Sequence, residues 1–213
     1  MAALLEDADL LLTAHRPKAL RRLGLEFAAL CQRYPRLSQV DIVGYPGAEA
    51  DIAGHDLTYQ AAHGLLVPGR MPTTLVADLS AAERAVTAAF AVLRLRDRDG
   101  EGAHMEVAIS EAARAAALPM EYGLTAPGGL LGGGYPFYAV YEAAEGHVAL
   151  ASLEAQFRER LLELLDLRGA ANDLPRLRKE LAGAFSRWPA AHWQTWAEAN
   201  DIPLAALAGP RQF

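Results

Sequence analysis

The stretch LSQVDIVGY, at residues 37–45, carries the clearest indication of the fold class. It alternates apolar and polar side chains and is rich in β-forming residues, which is typical of a strand. Apolar residues recur at helical spacing before it, over residues 18–33, and helical character returns after it, over residues 56–66. This alternation of helices and strands predicts a parallel α/β layer.

The same pattern extends outward from this strand. A short strand is predicted at the end of residues 3–12, and another is predicted over residues 103–109. The clearest helix covers residues 80–96. Its start is predicted at Ser80, because Ser80 and Glu83 have the spacing of a capping box.

The C-terminal part of the chain has a different pattern of residues. Residues 126–134, APGGLLGGG, predict a glycine loop. Two alternating stretches, at residues 137–143 and 147–152, predict an antiparallel hairpin. Further helices are predicted at residues 154–168, 174–186 and 189–199. We therefore expect a larger α/β domain at residues 1–128 and a smaller α+β domain at residues 129–213.

Composition argues against several classes of function. The chain has 213 residues and a net charge of −6, so it lacks the basic footprint of a nucleic-acid-binding protein. Its apolar runs are too short to span a membrane, and its N-terminus lacks the basic start of a signal peptide. A single cysteine, Cys31, allows no intrachain disulfide and fits a reducing compartment. We expect a cytoplasmic protein that binds neither nucleic acid nor a membrane.

Asp78 is the first candidate for a chemical role. It follows the apolar run Leu75-Val76-Ala77 and precedes the predicted helix cap by two residues. An acid near a helix start is commonly structural, because the helix dipole stabilises its charge. At the end of a strand, the same carboxylate could act as a base or a nucleophile, with the helix N-terminus near a developing anion.

His55 is the second candidate, in the segment Gly54-His55-Asp56. A histidine beside a carboxylate is suited to general acid/base catalysis. The simpler interpretation is a loop histidine, with Asp56 as a helix cap. The remaining histidines are scattered and no Cys/His cluster exists in the sequence, so we expect no metal site.

Basic residues near the second predicted helix could form an anion site. Arg16 and Arg22 flank the start of this helix, with Lys18 and Arg21 beside them. Such a run is usually a solvated basic face, but it could also clamp phosphates. Glu154, after the predicted hairpin, is most simply interpreted as an acid in the first turn of a helix.

The order of the segments along the chain is more informative than any one of them. They are, in sequence, Ala8-Asp9, Leu11-Leu12, Arg16-Pro17, Arg22-Leu23-Gly24-Leu25, Gly54-His55-Asp56-Leu57-Thr58-Tyr59, Leu75-Val76-Ala77-Asp78, Gly134-Tyr135-Pro136-Phe137-Tyr138 and Leu153-Glu154-Ala155-Gln156-Phe157. This succession resembles the middle of a class III CoA-transferase and covers nearly the whole chain. The glycine-histidine-aspartate element is the most specific, and it resembles the branch that includes alpha-methylacyl-CoA racemase.

The resemblance implies catalytic roles for three residues. Asp78 matches the catalytic aspartate of the family, which is an acid/base in racemases and forms an acyl anhydride and then a CoA thioester in transferases. His55 matches the second acid/base of the racemases. Glu154 matches the glutamate that supports that histidine.

The resemblance also implies a binding site for coenzyme A, which enters as part of a thioester substrate. Arg16 and Arg22 match arginines near the CoA-binding cleft, and Gly54 and Asp56 lie beside it. No metal is implied. The segment after the catalytic aspartate departs from the family, because residues 79–82 read Leu-Ser-Ala-Ala where glycines are usual.

The family implies a Rossmann-like parallel α/β layer in the large domain, followed by the smaller α+β domain. Relative to the family, we expect this chain to be shortened at both ends, with an incomplete large domain. The family forms interlocked dimers, and we expect the interlock to be incomplete here. We still expect a homodimer, because a shortened α/β layer would leave apolar faces uncovered. A second departure is Ala139, which stands where an acid is usual.

Three functions follow from the resemblance. The first is racemase-type transfer of the α-proton of a 2-methylacyl-CoA thioester. The second is movement of CoA between carboxylic acids through an acyl anhydride on Asp78. The third is that of a non-catalytic, truncated family member or partner subunit.

Overall fold

The computed structural model describes residues 2–207 and residue 209. The chain forms two compact units, residues 1–118 and residues 119–213. Each unit has a three-stranded sheet and a hydrophobic core of its own.

The first unit is built on a parallel sheet. Its helices and strands follow in the order α1 (Ala2–Glu6), β1 (Leu10–Thr13), α2 (Pro17–Leu23), α3 (Phe27–Arg33), β2 (Ser38–Val43), α4 (Asp56–Ala62), α5 (Val76–Asp99), β3 (His104–Ala108) and α6 (Ile109–Glu121). The strands are adjacent in the order β1-β2-β3, with Leu12 opposite Val40 and Val40 opposite Met105. The predicted parallel α/β layer is therefore confirmed.

The long helix α5 covers one face of this sheet. Its buried side carries alanines and Val92, which pack against Val40 and Val107. Removal of these apolar side chains from water stabilises the layer. The other side of α5 leaves Val86 and Phe90 exposed, with 55% and 71% of their surface accessible.

The helix predicted over residues 18–33 is two helices in the structure. The chain leaves α2 at Gly24, which has a φ of +67°, and its N–H donates to the carbonyl of Arg21. A left-handed glycine directly after a helix is a common terminator, because glycine has no Cβ to oppose that conformation. The prediction of one continuous helix was wrong because the apolar spacing continues across Gly24 although the backbone does not.

The start predicted for the longest helix was also wrong. Helix α5 begins at Val76, with Leu75 at its N-cap, so Ser80 and Glu83 lie inside the helix and form no capping box. Asp78 accordingly lies in the first turn of α5, and no strand precedes it. The side chain of Leu75 cannot accept a hydrogen bond, and the first N–H groups of α5 find their acceptor elsewhere in the unit.

The second unit combines an antiparallel sheet with three helices. Its elements are β4 (Tyr138–Glu142), β5 (His147–Ala151), α7 (Ala155–Leu164), α8 (Leu174–Phe185), α9 (Ala190–Asn200) and β6 (Leu204–Ala206). Strands β4 and β5 form the predicted hairpin, and β6 adds to β5 as a third strand. The core of the unit includes the fully buried side chains of Leu161, Leu177, Leu181 and Phe185.

Strand β6 has no counterpart among the sequence predictions. It is only three residues long and begins directly after Pro203, so it offers no periodicity to recognise. The glycine loop instead contains a short helical turn at Leu130–Gly134, in which Gly133 has a φ of +85°. Within residues 2–207 and 209, no helix combines the length and the apolar character needed to cross a bilayer.

Candidate active site

A cavity of about 400 Å³ opens in the first unit. Residues that directly follow all three strands line it: Ala14 after β1, Gly44 after β2 and Ile109 after β3. The cavity therefore lies at the carboxyl edge of the sheet, where open α/β layers commonly bind their ligands. The other lining residues are Arg16, Ile42, Ala50, Ile52, Gly54, His55, Tyr59, Asp78, Ala81 and Ala82.

His55 and Asp78, the two predicted acid/base residues, both line this cavity. His55 is the N-cap residue of α4, and Asp78 is in the first turn of α5. The side chain of Thr58 holds the backbone at His55, because its Oγ1 accepts from the His55 N–H at 3.0 Å and donates to the His55 carbonyl at 2.8 Å. Two residues that are 23 positions apart in the sequence numbering thus meet at one cavity.

The environment of Asp78 favours its protonated form. Partial burial raises the pKa of the Asp78 carboxyl, the negative charge of Asp56 raises it further, and His55 opposes both effects. Asp78 is nevertheless exposed toward solvent, so water screens these charges and the energetic effect is modest. An acid with a raised pKa carries its proton closer to neutral pH, which suits proton donation.

Asp56, which the resemblance implies lies beside the CoA-binding cleft, has a buried side chain, and its role in binding CoA stays a prediction. Only 4% of its surface is exposed, and it is not among the residues that line the cavity. Its Oδ1 accepts hydrogen bonds from the N–H groups of Ala77, at 2.9 Å, and Asp78, at 3.1 Å. The side chain therefore faces the protein, and it supplies the acceptor that Leu75 cannot supply at the start of α5.

Tyr59 is a cavity residue for which the sequence predicted no role. It is 2% exposed, and its ring packs where Gly44 and Gly54 have no side chains. A Cβ on Gly54 would lie 2.5 Å from Cε1 of this ring, which is too close for any real contact. Burial is the main cause that raises the pKa of Tyr59; the charges of Tyr45 and Asp78 add to it, and Arg16 opposes it. Gly44 and Gly54 were the feature of the sequence from which this packing of Tyr59 could have been predicted.

Arg16 and Arg22 line a second cavity, of about 410 Å³, together with Lys18, Ala19 and Asp51. Arg16 also lines the first cavity, so the two cavities have one lining residue in common. Asp51 accepts from the backbone N–H of Lys18 at 2.9 Å, and its other carboxylate oxygen pairs with the side chain of Arg21 at 3.2 Å. Three cationic side chains against one carboxylate leave this cavity suited to an anion.

Glu154 lies in the second unit, at the N-cap of α7, and its side chain is exposed. The dipole of α7 stabilises an acid at this point. Its role as the support of His55 stays a prediction. Within the described part of the chain, no three His, Cys, Asp or Glu side chains form a group that could hold a metal ion.

Comparison with known proteins shows what this chain resembles. The sequence profile described as CoA-transferase family III matches residues 1–213, the whole chain. The chain is 30% identical to alpha-methylacyl-CoA racemase of Mus musculus over 87% of its own length and 55% of the relative. It is also 30% identical to succinate–glutarate CoA-transferase of Agrobacterium fabrum, over 80% of its own length and 46% of that relative. The chain thus spans about half the length of these curated relatives.

Solved structures support the fold. A hypothetical protein from Mycobacterium tuberculosis superposes with a TM-score of 0.80 over 99% of this chain and 64% of its own, at 22% identity. A CAIB/BAIF family protein from Brucella suis superposes with a TM-score of 0.75 over 97% of this chain and 62% of its own, at 20% identity. At these identities, the similarity is one of fold alone.

Proposed function

Since the chain belongs to CoA-transferase family III, we propose that it acts on an acyl-CoA thioester by moving the α-proton of a 2-methylacyl-CoA. The observation that carries this proposal is that His55 and Asp78 line the same cavity. The similarity to alpha-methylacyl-CoA racemase supports this choice among the reactions of the family.

The proposed chemistry needs two proton carriers. A thioester makes its α-proton removable, because the carbonyl delocalises the charge of the enolate that remains. Inversion then requires a base on one face of the planar enolate and an acid on the other. We assign these roles to His55 and Asp78. The raised pKa of Asp78 supports the assignment, since a protonated carboxyl can return a proton to the carbon.

Deuterium incorporation tests this proposal. Incubation of a 2-methylacyl-CoA with the protein in deuterated water should place deuterium on the α-carbon. His55→Ala should lower the rate by about 10²-fold or more, because one face of the enolate loses its acid/base. His63→Ala is a matched control, since His63 follows the last residue of the same helix and does not line the cavity. Equal losses in the two variants, or no exchange by the unaltered protein, would contradict the proposal.

A second function, CoA transfer between carboxylic acids, is favoured by the exposure of Asp78 toward solvent and by the similarity to a succinate–glutarate CoA-transferase. In that reaction the Asp78 carboxylate attacks the thioester carbonyl, and CoA leaves as a thiolate from the acyl anhydride that forms. The thiolate then attacks the aspartyl carbonyl and releases the acyl group as a carboxylate. Hydroxylamine should trap the activated aspartate as a hydroxamate at Asp78, which mass spectrometry detects.

We further propose that the phosphates of coenzyme A, the only cofactor that this chemistry needs, bind at the second cavity. Arg16, Lys18 and Arg22 supply its positive charge. Arg16 also reaches the first cavity, and Gly54 contributes to that same cavity. One substrate molecule could thus present its thioester to the first cavity and its phosphates to the second.

We also propose a homodimer, because Val86 and Phe90 form an apolar surface on α5 that nothing in the described first unit covers. A third alternative, a non-catalytic family member or partner subunit, is favoured by residues 79–82, which read Leu-Ser-Ala-Ala where the family usually has glycines. Titration with CoA distinguishes it, since a protein without a CoA site should show no binding.

A further inference from the structure

Asp56 and Gln60 together hold the segment that leads into α5. They lie on one face of α4, four residues apart, and 4% and 2% of their surfaces are exposed. Asp56 accepts from the backbone N–H groups of Ala77 and Asp78. Gln60 Nε2 donates to Asp56 Oδ2 at 2.5 Å and to the carbonyl of Thr74 at 3.2 Å. The buried pair therefore fixes residues 74–78 from both ends.

This arrangement replaces an ordinary helix cap. The N-cap residue of α5 is Leu75, whose side chain makes no capping hydrogen bond. The first N–H groups of a helix have no partner within the helix, and a buried one that is left without an acceptor is costly. A carboxylate from α4 satisfies two of them in α5, so the start of the helix that carries Asp78 depends on the residue that directly follows His55.

We propose that Asp56 is a positioning residue that places Asp78 in the cavity by capping α5 from α4. The inference rests on the proposed function, in which Asp78 and His55 exchange protons with substrate. It differs from the cofactor-binding role implied by the family resemblance, because the side chain of Asp56 forms its hydrogen bonds with residues of the protein.

The charge of Asp56 gives this role a second consequence. Its carboxylate is one of the causes that raise the pKa of Asp78. The other charged or titratable side chains around the cavity are His55 and Tyr59 from α4 and Arg16 at the start of α2. The ends of the three strands contribute only Ala14, Gly44 and Ile109. Loss of the negative charge at Asp56 should therefore lower the pKa of Asp78.

Two variants separate the charge from the contact. Asp56→Asn removes the charge, and because its amide has only one oxygen, it also loses either the acceptor for the N–H groups of α5 or the acceptor for Gln60 Nε2. Gln60→Met removes the hydrogen bonds to Asp56 and Thr74 and leaves the charge in place. The titration of the Asp78 carboxyl by carbon-13 NMR is the first readout, and it needs no substrate. The rate of α-deuterium exchange is the second.

We expect Asp56→Asn to move the Asp78 titration to lower pH and to reduce the exchange rate about 10-fold or more, since small misplacements of a catalytic group are costly. Gln60→Met should leave the titration in place and slow the exchange only by loosening the helix start. An unmoved titration in folded Asp56→Asn would overturn the charge effect, and an unchanged exchange rate would overturn the positioning role. If the unaltered protein shows no exchange, the proposed function fails. The backbone amide chemical shifts of residues 74–78 in Asp56→Asn then still decide whether Asp56 holds this segment.

Discussion

The packing of Tyr59 against two glycines allows a selective rescue experiment. Neither Gly44 nor Gly54 has a positive φ, so a substitution by alanine meets a problem of space and not of backbone conformation. At Gly44 the new Cβ would collide with the Tyr59 hydroxyl oxygen, while the next nearest ring atom, Cζ, would be 3.3 Å away. At Gly54 the new Cβ would lie 2.5 Å from the hydroxyl oxygen, but also 2.5 Å from the ring carbon Cε1 and 2.6 Å from Cζ.

Loss of the Tyr59 hydroxyl group should therefore restore the stability of the two alanine variants to different extents. Each alone should lower the free energy of unfolding by about 1–3 kcal/mol, the usual cost of overpacking a filled site. Tyr59→Phe removes the atom that meets a Cβ at position 44 but not the ring carbons that meet one at position 54. We expect a coupling energy of about 1–2 kcal/mol between Gly44→Ala and Tyr59→Phe, and little or none between Gly54→Ala and Tyr59→Phe.

Urea unfolding followed by two signals measures this coupling. All three tryptophans of the chain, Trp188, Trp193 and Trp196, lie in the second unit. Their fluorescence reports the unfolding of the second unit and is therefore an internal control. Far-UV circular dichroism also includes the helices of the first unit. Equal rescue at both glycines, or no loss of stability in Gly44→Ala, would refute the packing described for Tyr59.

Three further predictions concern the charges and the exposed face of the first unit. Asp78→Asn should gain stability relative to the unaltered protein as the pH rises above about 4. The raised pKa of Asp78 means that ionisation of its carboxyl opposes folding. Urea midpoints of the two proteins that diverge with pH in the opposite direction would contradict this. Arg22→Ala should weaken CoA binding by about 10-fold, as the loss of a charge-assisted hydrogen bond predicts, whereas Arg33→Ala should leave calorimetric titrations unchanged. Phe90→Asp should convert the proposed homodimer to a monomer in light scattering, and a parent that is already monomeric at micromolar concentration would contradict the dimer.

The sequence was sufficient where a local pattern and the fold agree. The strand at residues 38–43 and the hairpin of the second unit were predicted because alternation has the period of a strand. His55 and Asp78 were identified through the family resemblance, and both lie at the starts of helices, α4 and α5, beside the cavity at the carboxyl edge of the sheet.

Two of the misses share one physical cause, which is that the contacts responsible are made by residues outside the local pattern. Ser80 and Glu83 have the right spacing for a cap, but the acceptor for α5 is Asp56, far away in sequence. The buried position of Tyr59 likewise depends on Gly44 and Gly54, near the two ends of the segment that joins β2 to α4. The local propensities of a segment carry no information about such contacts, so the spacing of residue types alone could not reveal them.

The pairing of β2 with β3 has a consequence for how the molecule folds. Residue 39 pairs with residue 104, whereas in the second unit residue 142 pairs with residue 147 across a tight turn. Long loops must close before distant pairs can repay the entropy lost, so sheets with such pairs form slowly. The helices α4 and α5, which supply both acid/base residues, lie within that long loop. The cavity should therefore be among the last parts of the first unit to form during refolding, after the hairpin of the second unit is in place.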